Sequence, residues 1–142
     1  LAKYTAKGSG KYFKPGATEF VRALYARGVK MCVATASSPE LFVPALKSGG
    51  IYGLFEGFFT VDDVKRNKSH PDIFLLAAER LGVPPQGCVA FEDSLTALLA
   101  AKRAGMRTIA VYDPSSEKNI GRLREEADAF VFGFQELNEG LQ

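Results

Sequence analysis

Gly87-Cys88-Val89-Ala90-Phe91-Glu92-Asp93-Ser94 decides the fold. Cys88 to Phe91 is an unbroken apolar run, the pattern of a strand buried on both faces of a parallel sheet. Two carboxylates follow, then Ser94, a good helix N-cap residue, and helix formers from Thr96 to Ala104. An acidic pair therefore sits where a buried strand ends and a helix begins. In open α/β sheets ligands bind at that edge, outside the carboxyl ends of the strands. Adjacent carboxylates there repel and are costly to desolvate unless a cation or hydrogen bonds compensate. A hard, oxygen-seeking ion such as Mg²⁺ would do so. The alternative is a solvated turn in which Asp93 helps cap the helix.

Moving outward, helical and strand patterns alternate. Pro15-Gly16 marks a turn, and Ala17 to Arg27 reads as a helix with Phe20, Val21 and Leu24 on one face, stopped by Gly28. Val29 to Ala34 is a strand, and Thr35-Ala36-Ser37-Ser38 a polar turn at its carboxyl end. Pro39 suits a first helical position, and Glu40 to Lys47 follows as a helix with Leu41, Ala45 and Leu46 as core candidates. Gly57 to Thr60 is a short strand beside the aromatic cluster Tyr52, Phe55, Phe58 and Phe59. Those rings read as core, because the flanking Glu56, Asp62 and Asp63 oppose a nucleic-acid stacking platform. Val61 to His70 is a polar loop. Pro71 to Leu81 is a helix burying Ile73, Phe74, Ala77 and Leu81, capped by Gly82. After the quoted strand and its helix come a strand at Arg107 to Val111, the turn Asp113-Pro114-Ser115-Ser116, and an exposed helix from Glu117 to Glu126. A strand at Ala129 to Phe132 and a helix from Phe134 to Leu141 end the chain. Strands alternating with roughly ten-residue helices predict an α/β fold: a Rossmann-like parallel sheet with helices on both faces.

The 142 residues suffice for one domain, and 46 % apolar with 24 % charged residues is an ordinary globular mixture. A net charge of +2 makes no case for nucleic acid or an anionic membrane. No apolar run is long enough to cross a bilayer, and Leu1-Ala2-Lys3-Tyr4 does not open an h-region, so we expect no signal peptide. Cys32 and Cys88 lie in apolar runs and fit no zinc spacing; buried free thiols suit a reducing cytoplasm. His70 is the sole histidine, which excludes multi-histidine metal sites. Ala6-Lys7-Gly8-Ser9-Gly10-Lys11 lacks the spacing of a phosphate loop and the Ser or Thr after its lysine.

Right-handed crossovers put the carboxyl ends of parallel strands on one edge. Thr35-Ala36-Ser37, Lys68 and Glu92-Asp93 are therefore expected there together. A phosphoryl group needs such a set: hydrogen-bond donors, helped by the positive end of the helix after Pro39, a cationic lysine and a metal-binding acidic pair. Taken singly, each has a plainer reading. Thr35 can cap a helix, Lys68 can be a solvated surface charge, and His70 a surface or capping residue.

On three stretches the chain resembles the haloacid dehalogenase superfamily of phosphatases and phosphomutases, nearest to its β-phosphoglucomutase-like branch. They are Val33-Ala34-Thr35-Ala36-Ser37, Lys68-Ser69-His70-Pro71-Asp72-Ile73-Phe74, and Phe91-Glu92-Asp93-Ser94 with Ala100-Ala101 and Ala104-Gly105-Met106. The resemblance runs from about Tyr12 to the end, judged by the order of elements. It implies that Thr35 holds phosphate, with amide contacts from Ala36 and Ser37, and that Lys68 neutralises the phosphoryl charge. It implies Mg²⁺ bound by Asp93, with Glu92 as a ligand or a partner behind the ligand. Asp72 would be structural, a helix-start residue. Ser69-His70 departs from the proline and small residue usual in relatives, which bears on loop stiffness. The larger departure is that the family's Asp-x-Asp motif is absent, and Asp62-Asp63 and Asp113 come too late in the order to replace it.

We therefore expect residues 1–14 to be a flexible or cap-exit segment and 15–142 to be the carboxyl-terminal part of the α/β core. The nucleophile strand and helical cap would come from the protein's own N-terminal segment. The whole would be a Mg²⁺-dependent phosphatase or phosphomutase acting on a small phosphorylated metabolite, and this chain alone nearly inactive. A non-catalytic phosphate- or metal-binding module and a true haloacid dehalogenase are the competing readings. A nicotinamide-binding domain fails for want of G-x-G-x-x-G after a strand.

Overall fold

A computed structural model describes residues 14–36, 38–67 and 69–140. Two expected phosphate-site residues, Ser37 and Lys68, lie outside the described residues, as do residues 1–13. Helix α1 (Ala17–Ala26) follows Gly16, whose φ of 83° is left-handed backbone that glycine enters without steric cost. A Cβ on Gly16 would also meet the backbone nitrogen of Gln135 at 3.1 Å.

Strands β1 (Cys32–Thr35) and β2 (Gly57–Thr60) pair in parallel, with Cys32 opposite Gly57 and Thr35 opposite Thr60. Strands β3 (Val89–Glu92), β4 (Arg107–Val111) and β5 (Ala129–Val131) form a second parallel piece in that order. The connecting helices are α2 (Pro39–Ser48), α3 (Val61–Val64), α4 (Asp72–Leu81), α5 (Leu95–Arg103) and α6 (Ile120–Glu126), and α7 (Phe134–Gly140) closes the fold.

Alternation along the strands distributes the core to both faces. Cys32 and Ala34 of β1 and Ala90 of β3 share one cluster with Ile73, Phe74 and Ala77 of α4 and the alanines of α5. Val33, from the other face of β1, packs on Phe42, Ala45 and Leu46 of α2. Phe91, Val111 and Val131 pack on Phe20 of α1 and Phe134 of α7. Helices thus cover both faces, as the continuous apolar runs require. Among the described residues the sheet comes in two pieces, yet α4 packs against a core common to β1 and β3.

Several expectations need correction. Strand β1 starts at Cys32 rather than Val29, because ladder pairing with β2 begins there and Val29 is exposed. Leu41 is not core: it is 64 % exposed, and Phe42, Ala45 and Leu46 form the inward stripe of α2 instead. The loop expected over 61–70 contains α3, a single turn started by a capping box in which Thr60 N–H donates to Asp63 Oδ2 at 2.7 Å. The helix expected from Glu117 starts at Ile120. Pro114–Asn119 is a tighter 3₁₀ turn, whose Ser115 N–H donates to Asp113 Oδ2 at 3.0 Å. Nor is α6 wholly exposed, since Leu123 is buried. Gly57–Thr60 and Arg107–Val111 have the bounds read from the sequence.

Candidate active site

The apolar run of β3 carries Glu92 into the interior, where it is 1 % exposed. Asp93 follows at 7 % exposure, so it is no solvated turn residue. Helix α5 is capped by Ser94 itself, whose Oγ accepts from Ala97 N–H at 3.4 Å. On the neighbouring strand, Asp113 lies two residues beyond Val111 and is 5 % exposed. The Ser116 hydroxyl donates to the Asp93 carbonyl and ties the two strand-end turns together.

Between these carboxylates lies a cation from the start of the described chain. Lys14 Nζ is 2.5 Å from Asp113 Oδ1 and 3.6 Å from Asp93 Oδ2, and it donates to the Tyr112 carbonyl at 3.5 Å. Buried carboxylates demand compensating charge or hydrogen bonds, and the ammonium is one source of it. A cavity of about 450 Å³ opens beside this point, lined by Lys14, Tyr112, Asp113, Phe132 and Glu136 among others. At its edge the Tyr112 hydroxyl donates to Glu117 at 2.6 Å, which raises the tyrosine pKa and keeps the group protonated.

The donor set fits a hard divalent cation. Asp93 and Asp113 are oxygen donors, buried, and already gathered around a positive charge. Among the described residues no group of three His, Cys, Asp or Glu side chains is arranged to hold a metal. Asp93 is the residue that could hold an ion such as Mg²⁺, which would supply positive charge there.

Of the expected phosphate residues, Thr35 ends β1 at 3 % exposure and Ala36 follows it exposed. Their position is the carboxyl end of β1, just ahead of α2, whose N-terminal turn begins at Pro39. Asn67 Oδ1 accepts from Ser69 N–H at 3.0 Å, and His70 N–H donates to the Asn67 carbonyl at 3.1 Å. Arg103, at the end of α5, donates to the Ser69 carbonyl. Asp72 opens α4, with Arg66 Nε 3.7 Å from its carboxylate, and His70 is exposed beside Arg66.

Three residues at the site escaped the sequence reading: Lys14, Asp113 and Arg103. Asp113 had one visible signal, an aspartate just past an apolar run, the same grammar that marked Asp93. Lys14 and Arg103 had none, for each acts on a group far away in the chain.

A family model of haloacid dehalogenase-like hydrolases matches residues 4–105. The Bacillus subtilis protein YhcW is 41 % identical over 98 residues, 69 % of this chain and 44 % of YhcW. Hexitol phosphatase B of Escherichia coli is 31 % identical over 105 residues, 74 % of this chain and 47 % of the relative. The crystal structure of CbbY from Rhodobacter sphaeroides, in complex with xylulose-1,5-bisphosphate, superposes with a TM-score of 0.80 at 31 % identity; it covers 88 % of this chain and 56 % of CbbY. The chain spans less than half the length of these curated relatives. With the family model matching most of its length, and with an α/β core of parallel strands that superposes on a solved relative, the chain belongs to the haloacid dehalogenase-like hydrolases.

Proposed function

We propose that this chain is the carboxyl-terminal part of a Mg²⁺-dependent phosphatase or phosphomutase acting on a small phosphorylated metabolite. The observation that carries the proposal is the gathering of Asp93 and Asp113 around one positive charge at the carboxyl ends of adjacent strands. In this reading Asp93, with Glu92 behind it, holds Mg²⁺, which supplies charge neutralisation for phosphate oxygens. The Thr35 hydroxyl and the amides of Ala36 and Ser37 donate to the phosphate at the start of α2, and Lys68 neutralises it as a point cation.

The attacking aspartate would come from a segment outside these residues, laid as a strand between β1 and β3. Two features support that place. The sheet comes in two pieces among the described residues, and a groove of about 420 Å³ runs along β3, lined by Phe20, Leu24, Lys30, Leu81, Val89 and Phe91. The complete protein would form a phosphoaspartate and pass the phosphoryl group to water or to a sugar hydroxyl. Residues 1–14 then lead out of a cap, and 15–142 form the larger part of the core. Sugar phosphates are the first substrates to try, given the hexitol phosphatase and the bisphosphate-bound CbbY among the relatives. A reducing cytoplasm suits the two buried free thiols, Cys32 and Cys88. No helix among the described residues is long and apolar enough to cross a membrane.

The test is hydrolysis of p-nitrophenyl phosphate and of a sugar-phosphate panel with Mg²⁺. The chain alone should be nearly inactive. A protein extended by an upstream Asp-x-Asp strand and cap should turn over, and Lys68→Ala and Asp93→Asn should each abolish that activity. Robust turnover by the 142-residue chain, lost on Lys68→Ala, would refute the missing-nucleophile part.

A further inference from the structure

Asp93 falls at the junction of two regular elements. The β3–β4 ladder runs as far as Glu92, opposite Ala110. The α5 ladder starts just after Asp93, where the Ser94 carbonyl accepts from Leu98 N–H at 2.9 Å. The Ser116 hydroxyl reaches this junction from the turn after β4 and donates to the Asp93 main-chain carbonyl. Both residues are buried, each 7 % exposed. The turn that carries the donor is itself firmly built. Asp113 Oδ2 accepts from Ser115 N–H at 3.0 Å, and the Asp113 carbonyl accepts from Ser116 N–H at 2.9 Å. Pro114 opens the 3₁₀ turn, and its ring fixes φ there. The hydroxyl is thus offered from a backbone with little freedom.

We propose that Ser116 is a positioning residue for Asp93: its hydroxyl holds the main chain at the β3–α5 junction so that the Asp93 carboxylate is ready for a divalent cation. The proposal rests on the reading of Asp93 as the residue that holds Mg²⁺, and adds a residue to it. A side-chain ligand is placed no better than the backbone it hangs from, and binding groups have to sit within about 0.5 Å of their working geometry. A hydrogen bond to the Asp93 carbonyl restrains rotation of the Asp93–Ser94 peptide, and with it the direction in which the carboxylate leaves the chain. Ser116 need not touch the ion to act in this way.

The test uses Mn²⁺, which prefers the same hard oxygen donors as Mg²⁺. Its binding is followed by paramagnetic broadening of the backbone amide resonances of residues 92–94 in the isotope-labelled chain, which registers weak binding at a known place. Wild type is compared with Ser116→Ala, Ser116→Thr, Ser116→Cys and Ile51→Val, and thermal unfolding is measured alongside. Ser116→Ala should need about tenfold more Mn²⁺ for equal broadening, the lower end for groups that orient metal ligands. Ser116→Thr keeps the hydroxyl and should bind as wild type does. Ser116→Cys keeps the volume with only a weak donor; it should bind more weakly than wild type, and it decides the matter if Ser116→Ala does not fold. Ile51→Val trims a buried side chain of the α2 cluster, so it should lower the melting temperature and leave Mn²⁺ binding unchanged. If wild type is broadened at 92–94 and Ser116→Ala matches it, Ser116 only ties two turns together; the positioning role is refuted while the metal reading stands. Equal weakening in Ser116→Ala and Ile51→Val refutes it too, as general loosening of the fold. If wild type shows no broadening at 92–94, the metal reading fails and the positioning role with it.

Discussion

Cys32 of β1 and Cys88, just ahead of β3, bury their thiols in one core cluster although the two strands belong to separate pieces of the sheet. Burial, with smaller contributions from Glu56 and Cys88, pushes the Cys32 pKa from 9.0 up to about 11. The unfolded thiol loses its proton near 9, whereas the folded one keeps it to about 11. In that interval the native state binds more protons, so stability falls as pH rises. Urea unfolding should show full stability below pH ~9 and a decline toward pH ~11. The decline should be shallower in Cys32→Ala. Below pH 9 a thiol reagent should modify Cys32 only as fast as the protein opens.

Phe74 joins the two sheet pieces through the same cluster and is 1 % exposed. Phe74→Ala should cost about 3–5 kcal/mol, the range for aromatic deletions in a packed core. The denaturant midpoint should drop with the slope unchanged. A change in slope would mean that the two pieces unfold separately.

Asp113→Asn removes the nearer carboxylate from Lys14 but keeps the side-chain oxygen that caps the Pro114–Asn119 turn. The loss should be about 2 kcal/mol, below the ~3–5 kcal/mol of a fully buried pair because Lys14 stays partly exposed. Chemical denaturation measures it, and a loss under about 0.5 kcal/mol would place the pair among surface ion pairs.

Thr35→Val at the end of β1 separates binding from folding. Losing one hydroxyl should cost about 1 kcal/mol of stability. In the complete enzyme kcat/KM should fall about 100-fold if the hydroxyl meets developing charge on the phosphoryl group. Equal losses in stability and activity would leave Thr35 a purely structural residue.

Arg103→Ala frees the Ser69 carbonyl and loosens the loop that carries Lys68. Stability should change by less than about 0.5 kcal/mol, as at other surface positions. The KM for phosphorylated substrates in the complete enzyme should rise severalfold. An unchanged KM would show that the loop holds its shape without this brace.

Much of this architecture was legible locally. Gly57–Thr60 and Arg107–Val111 were read with their observed bounds because buried parallel strands are continuous apolar runs closed by polar or turn residues. The cap at Ser94 and the stop at Gly82 were legible because capping is chemistry within one turn. Errors arose where a neighbour decided. Leu41 and Phe42 are both apolar, and only the direction from which β1 approaches α2 buries one and exposes the other. Likewise Val29 looks like strand, but a strand begins where its partner does, at Cys32 opposite Gly57.

By itself the sequence determined the alternation of strands and helices, the parallel sheet, the acidic pair at a strand end and the family, all of which depend on residue order over short spans. Only the tertiary structure decided that Lys14 and Asp113 join Asp93 at that strand end. Lys14 and Asp113 are 99 residues apart, and their meeting is a product of the whole fold. Charge acts through space, and the chain holds no local pattern that says which distant lysine will be carried to which carboxylate.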